Sequence, residues 1–291
     1  MTTATRFNRF LDNLALTADQ MADAKTKYDG VAGKLHSHYR TTPFTGDTRI
    51  LIGSYGKGTA VRPPRDVDIL FLMPKSVYDQ YNAYTGNAQS QLLQAVRKVL
   101  LEKYSATAIR GDGQVVVVPF RNGHTVELLP GWRTTKDQFL VPNTHDGGHW
   151  QVVDHDAEIA QVKASNDRSN GNTRKLIKML KAWQRECNVP IGSLVIELRA
   201  VNFLLEWEHF DKGATYHPWM IRDFLAELIK YENGTCKMPG TDEKIEYGDA
   251  WLSKAESALK RAKKACQYES EEKERSAANE WRKIFGGQYE Y

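Results

Sequence analysis

Cysteine is scarce in this sequence: Cys187, Cys236 and Cys266 are the only three in 291 residues, widely spaced and without a C-x-x-C pair. That excludes a disulfide scaffold and offers no zinc site. A reducing cytoplasm is the simplest expected location. Long apolar runs are also missing. The longest strongly apolar stretches are Ile69–Met73 and Val115–Pro119, far short of the roughly 18–20 residues that cross a membrane. Met1–Phe7 has no apolar core of a secretory signal. No membrane partner is therefore expected. Net charge is small, 40 basic against 36 acidic residues for +4, well below the charge density of a dedicated nucleic-acid binder. One local basic cleft for polyphosphates and an evenly solvated surface both fit that total. No internal repeat or low-complexity tract is present.

What the sequence does contain is a change of texture along its length. At roughly 150 residues per domain it allows one large domain or two lobes. Apolar positions Phe7, Phe10, Leu11, Leu14 and Met21 predict an amphipathic helix over 4–28. Arg49–Gly53 reads as a short strand, Gly56–Pro64 as irregular chain, and Val67–Met73 as a buried strand. A helix is predicted over Gln89–Tyr104. Gln114–Arg121 and His124–Leu129 read as strands joined by Asn122-Gly123, the preferred two-residue hairpin turn. Residues 133–150, with Pro142, Gly147 and Gly148, read as loop. Helices are predicted at 155–165, 173–187, 193–209, 217–232 and 249–285, the last interrupted by the polar stretch Glu269–Arg275. The expected division is therefore a mixed first lobe, 1–150, and a helical second lobe, 151–291.

The chemistry concentrates in the first part. Gly53-Ser54 is followed, after turn-rich chain, by Asp66-Val67-Asp68 at the start of an apolar strand. Strand side chains alternate faces, so Asp66 and Asp68 project together with Val67 behind them. Two adjacent carboxylates repel unless a cation lies between them or one is protonated. Hard oxygen ligands suit Mg²⁺ or Mn²⁺. Glu127, in the apolar run Val126-Glu127-Leu128-Leu129, is the candidate third carboxylate, because an ionised Glu is costly to bury without a partner. Gly53 permits close approach of backbone to a ligand, and Ser54 adds a hydroxyl and an N–H. In the helical part, Arg174, Lys178, Lys181 and Arg185 recur at helical spacing and read as a basic stripe. Ser193 stands where the next helix begins and reads as its N-cap. Of the eight histidines only His145 and His149 stand four apart, in glycine-rich chain read as loop rather than on a helix, so no metal pair is expected and each histidine reads as structural or surface.

Together, Gly53-Ser54-Tyr55-Gly56-Lys57-Gly58-Thr59-Ala60-Val61-Arg62-Pro63, Asp66-Val67-Asp68-Ile69-Leu70 and Val126-Glu127-Leu128-Leu129-Pro130 resemble the polymerase-β-type nucleotidyltransferases. Within them, the sequence is similar to the bacterial cyclic GMP-AMP synthase/DncV-like group (CD-NTases) of anti-phage signalling. The resemblance covers roughly residues 35–210. It implies an α+β fold, with a bilobal polymerase-β-like core of mixed sheet and helices and an α-helical C-terminal lobe. It implies that Asp66, Asp68 and Glu127 are catalytic and bind Mg²⁺ or Mn²⁺, with Glu127 where many members carry Asp. Gly53, Ser54, Lys178 and Ser193 are implied to hold the donor triphosphate. ATP and other NTPs are the implied substrates, and a downstream effector binds the product rather than this chain. The zinc insertion of the animal DNA sensor has no counterpart, so activation by DNA through it is not implied.

The expected reaction is synthesis of a cyclic di- or trinucleotide second messenger. A template-independent RNA-tailing or linear oligoadenylate-synthesising enzyme would use the same residues. A non-catalytic nucleotide- or RNA-binding scaffold is the third reading.

Overall fold

A computed structural model of the chain describes residues 2–121 and 123–291. The chain forms two compact units. One comprises residues 16–58 and 64–159, the other residues 1–15, 59–63 and 160–291. The two lobes expected at 1–150 and 151–291 are thus interleaved, with the chain passing between units four times. The first helix belongs with the C-terminal helices because its apolar side chains find their partners there.

The first unit is α/β. Helix α2 (Ala18–Tyr39) is followed by β1 (Arg49–Leu51), a short helix α3 (Gly53–Lys57) and β2 (Asp66–Leu72). Helices α4 (Lys75–Asn82) and α5 (Ala88–Leu101) lead to β3 (Arg110–Asp112), β4 (Val115–Pro119) and β5 (Thr125–Arg133). Strands β6 (Phe139–Asn143) and β7 (His149–Val153) complete the sheet, and α6 (His155–Arg168) begins here. The strand order is β1-β2-β5-β4-β3, with the end of β5 also pairing β6 and β6 pairing β7. Strands β2 and β5 run parallel; the other pairs are antiparallel. Alternation puts Val67, Ile69, Phe71, Val126 and Leu128 into one core with the apolar faces of α2, α4 and α5. The opposite face carries a smaller cluster of Ile52, Leu70, Leu129, Phe139 and Val141.

Several local expectations change. The helix expected over 4–28 is two: α1 (Thr3–Leu14) and α2, parted at Ala15–Thr17 by a capping box between Thr17 and Gln20. The irregular stretch expected from Gly56 begins only at Gly58, whose left-handed φ of 71° ends α3. The segment 133–150, expected as loop, holds β6 and the start of β7. Pro142 is tolerated there because the β5 pairing covers only Phe139 and Leu140 of β6. The hairpin joins β4 to β5 as expected. Its pairing ends at Pro119 opposite Thr125, so the connection is longer than two residues. Asn122 of the expected turn lies outside the described residues.

The second unit is helical. Helix α1 joins α7 (Asn172–Glu186), α8 (Ser193–Glu206), α9 (His217–Leu228), α10 (Leu252–Ser270) and α11 (Glu274–Phe285), with a small hairpin of β8 (Thr235–Lys237) and β9 (Lys244–Glu246). The break expected near Glu269–Arg275 separates α10 from α11. Phe7 and Phe10 of α1 pack edge-on or tilted against Trp281, Phe285 and Tyr289. Helix α10 turns Ala255, Ala258, Ala262 and Ala265 inward.

Candidate active site

The parallel pairing of β2 and β5 decides the geometry. Asp66 lies opposite Thr125 and Asp68 opposite Glu127, residue for residue. The face that turns Val67 and Val126 into the core therefore turns Asp66, Asp68 and Glu127 to the other side together. The apolar cluster around Leu70 and Leu129 begins just beyond them. Glu127 sits on the central strand, with Val117 on its other flank, so it is not an edge-strand solubility charge. Asp66 is exposed, while Asp68 and Glu127 are half-buried. Burial pushes the Glu127 carboxyl up to about 7, and the negative charges of Asp68 and Asp66 add to the shift.

Gly53 fits this arrangement closely. Its φ is +55°, and a Cβ there would lie 2.0 Å from Asp68 Oδ2. Only glycine lets the backbone rest against that carboxylate. The Ile52 N–H donates to the Asp68 carbonyl at 3.1 Å, fixing the approach. Ser54 follows in α3, half-buried.

The donor chemistry fits a hard divalent cation: three carboxylates on one face, with Glu127 bearing an ionisation cost that a cation would relieve. No three His, Cys, Asp or Glu side chains among the described residues stand at metal-ligating spacing already. The carboxylates are gathered on one face but not drawn inward.

In the helical unit the basic stripe divides. Lys181 is buried and ion-paired to Glu197 at 2.6 Å, and it donates to Thr59 Oγ1 at 3.0 Å. Arg185 donates to the carbonyls of Val61 and Pro63. Both are occupied by structure. Lys178, one turn earlier, is half-buried and has no ion pair among the described residues. Burial lowers its ammonium pKa, helped by the charges of Arg174 and Lys181. Ser193 is exposed and is not the N-cap, a position held by Gly192. Its hydroxyl donates to Gln184 Oε1 at 3.0 Å.

Two polar groupings around α3 have no local signal in the sequence. Lys57 is buried against Glu158 at 2.8 Å, and His155 Nδ1 lies 2.9 Å from the other Glu158 oxygen. Tyr55 bonds His124, which bonds Asp23. Lys57 is 101 positions from Glu158, and His124 is 69 positions from Tyr55 and 101 from Asp23, so spacing alone does not reveal them.

The chain matches the sequence profile of the Second Messenger Oligonucleotide or Dinucleotide Synthetase (SMODS) domain over residues 1–166. It is 20% identical over 324 aligned residues to a probable cyclic nucleotide synthase of Bacillus cereus (strain VD146), covering 97% of this chain and 96% of that protein. It shares its fold with CdnC of E. coli MS115-1, solved with ATP (TM-score 0.70, 16% identity, covering 100% of this chain and 99% of that one). The same holds for Vibrio cholerae DncV, a cyclic AMP-GMP synthase solved with the linear intermediate 5′ pppA(3′,5′)pG (TM-score 0.70, 13% identity, covering 96% and 94%). With more than half its length inside the SMODS match, and Asp66, Asp68 and Glu127 on one face of the sheet, the chain belongs to the second messenger oligonucleotide or dinucleotide synthetases, the CD-NTase family.

Proposed function

We propose that the chain joins ATP, alone or with other NTPs, into a cyclic di- or trinucleotide for anti-phage signalling in the cytoplasm. The observation that carries this is the in-register placement of Asp68 beside Glu127, with Asp66 on the same face and Gly53 against Asp68. Asp66, Asp68 and Glu127 are assigned as ligands of Mg²⁺ or Mn²⁺. When bound, such ions lower the pKa of the acceptor ribose hydroxyl and neutralise charge on the donor phosphates.

The chain's own residues supply orientation. Gly53 sets the distance between α3 and Asp68, so that Ser54 can hold the donor triphosphate with its α-phosphate toward the carboxylates. Lys178, which has no ion pair among the described residues, is assigned to the outer phosphates, and Ser193 is assigned as a second hydroxyl. The acceptor oxygen forms a bond to the donor α-phosphorus, the bond to the β-phosphate oxygen breaks, and pyrophosphate leaves with that electron pair. Repeating the step on the linear intermediate's own free hydroxyl closes the ring.

Incubation with Mg²⁺ and labelled NTPs, followed by phosphatase, tests this. Phosphatase-resistant small products are expected from the wild type. Asp66→Asn with Asp68→Asn should lower their yield by at least about 10³-fold without loss of thermal stability. Long ladders would indicate tailing. Undiminished product from the double variant would overturn the site.

A further inference from the structure

Helix α3 has five residues and no side-chain N-cap, too few to hold its own geometry in water. Yet Ser54 must stand at a fixed distance from Asp68 and Glu127. Tyr55, next to Ser54, bonds the Nε2 of His124. His124 is wholly buried, and its Nδ1 lies 2.9 Å from Asp23 Oδ2 on α2. Asp23 also accepts from Lys27 Nζ at 2.7 Å. That bond is the leading cause holding the Asp23 carboxyl below its usual range.

The donor and acceptor roles follow. An ionised carboxylate only accepts, so Nδ1 of His124 carries the proton. Nε2 is then a bare acceptor in the neutral ring, and the Tyr55 hydroxyl donates to it. Burial pushes the Tyr55 phenol up, with the Asp23 charge adding, so the hydroxyl keeps its proton. His124 also stands immediately before β5, three residues ahead of Glu127. The next residue, Thr125, donates its N–H to the Arg65 carbonyl at 3.0 Å, just before Asp66. The preceding residue, Gly123 (φ +90°), lies so near the Asp23–Lys27 pair that a Cβ would sit 2.9 Å from Asp23 Oδ2.

We propose that Asp23, His124 and Tyr55 form a positioning relay that locks Ser54 in register with the three carboxylates, so that donor nucleotide meets a preset site. This rests on the assignment of Gly53 and Ser54 to the donor triphosphate. None of the three residues touches the reacting atoms.

Tyr55→Phe keeps the ring and deletes one hydrogen bond. The expected result is a rise in KM for the NTP of about five- to tenfold, the size of one lost hydrogen bond. The turnover number should stay within about twofold, while the thermal midpoint falls slightly because the buried His124 Nε2 loses its partner. His124→Leu should raise KM similarly, and the double variant should be no worse than the poorer single one, because both cut the same relay. If His124→Leu fails to fold, Asp23→Asn replaces it in the cycle. An unchanged KM in Tyr55→Phe, or penalties that simply add, overturns the relay. Ser54→Ala separates the two layers of argument. If it leaves KM unchanged, the donor assignment fails. If it raises KM while Tyr55→Phe does not, only the relay fails.

Discussion

In the helical unit, Lys181 and Glu197 meet as opposite charges and share the Thr59 hydroxyl. In the α/β unit, Asp66, Asp68 and Glu127 gather as like charges on one sheet face. The first grouping is complete: every charge has its counter-charge in the fold. The second brings charges of one sign together, and burial with the neighbouring Asp68 and Asp66 raises the Glu127 carboxyl. Lys178 and Lys181 repeat the contrast within a single helix. Opposite charges paired within the fold hold the chain together, whereas like charges gathered on one face carry a cost that, under the proposed function, a bound cation would relieve.

The comparison can be broken at its structural end first. Lys181→Met leaves Glu197 buried without its partner, and a loss of about 3–5 kcal/mol is expected, read from the urea midpoint. Replacing both, Lys181→Met with Glu197→Leu, should recover much of that loss. If the single variant unfolds at the wild-type midpoint, the pair is not structural.

Lys178→Met sharpens the comparison one turn away. It removes a half-buried cation that no carboxylate among the described residues pairs, so stability should hold or rise slightly. KM for the NTP should rise about tenfold, near the ~1.4 kcal/mol of one charge-assisted phosphate contact. Steady-state kinetics alongside a melting curve checks both halves. A fall in stability with unchanged KM would place Lys178 among the structural charges.

The smallest effect concerns Glu127 without metal. Its pKa in the fold, about 7, lies above the ordinary 4.5. Protonation therefore favours the folded state, and wild-type stability falls as pH rises from about 4.5 through 7. Glu127→Gln has no such loss. In chelator it should match the wild type near pH 5 and exceed it above pH 7, by about 1 kcal/mol once solvent screening of this half-exposed group is allowed for. Excess Mg²⁺ should narrow the gap by stabilising the wild type more than the variant, which keeps only Asp66 and Asp68 as ligands. Parallel melts at pH 5 and pH 8 with and without Mg²⁺ read this directly; a pH-independent difference would remove Glu127 from the cluster.

Much of the site was legible because its signals are local. The alternation through Asp66-Val67-Asp68 and the lone acid in Val126–Leu129 each need only a few neighbouring residues. Their juxtaposition needed one strand pairing, β2 with β5, and the resemblance to nucleotidyltransferases pointed to it. Other features were not legible because their causes are remote. The fate of Lys181 depends on Thr59, 122 positions away, and spacing along α7 could not distinguish it from Lys178. Strands β6 and β7 were hidden by Pro142 and the paired glycines, whose turn-forming bias outweighed the apolar Phe139–Val141. One local signal was simply passed over: Thr17 and Gln20 form the capping box that divides the N-terminal helix in two.

That division reaches beyond secondary structure. Helix α1 supplies Phe7, Phe10 and Leu14 to a core otherwise furnished by Val61 and by residues beyond 160. The helical unit therefore cannot be cut out as a contiguous C-terminal fragment. Expressed from residue 160 onward, it would bare Trp281 and Phe285 to water and strip Thr59 from Lys181 and Glu197, and it would need both residues 1–15 and residues 59–63 restored to become a self-sufficient body.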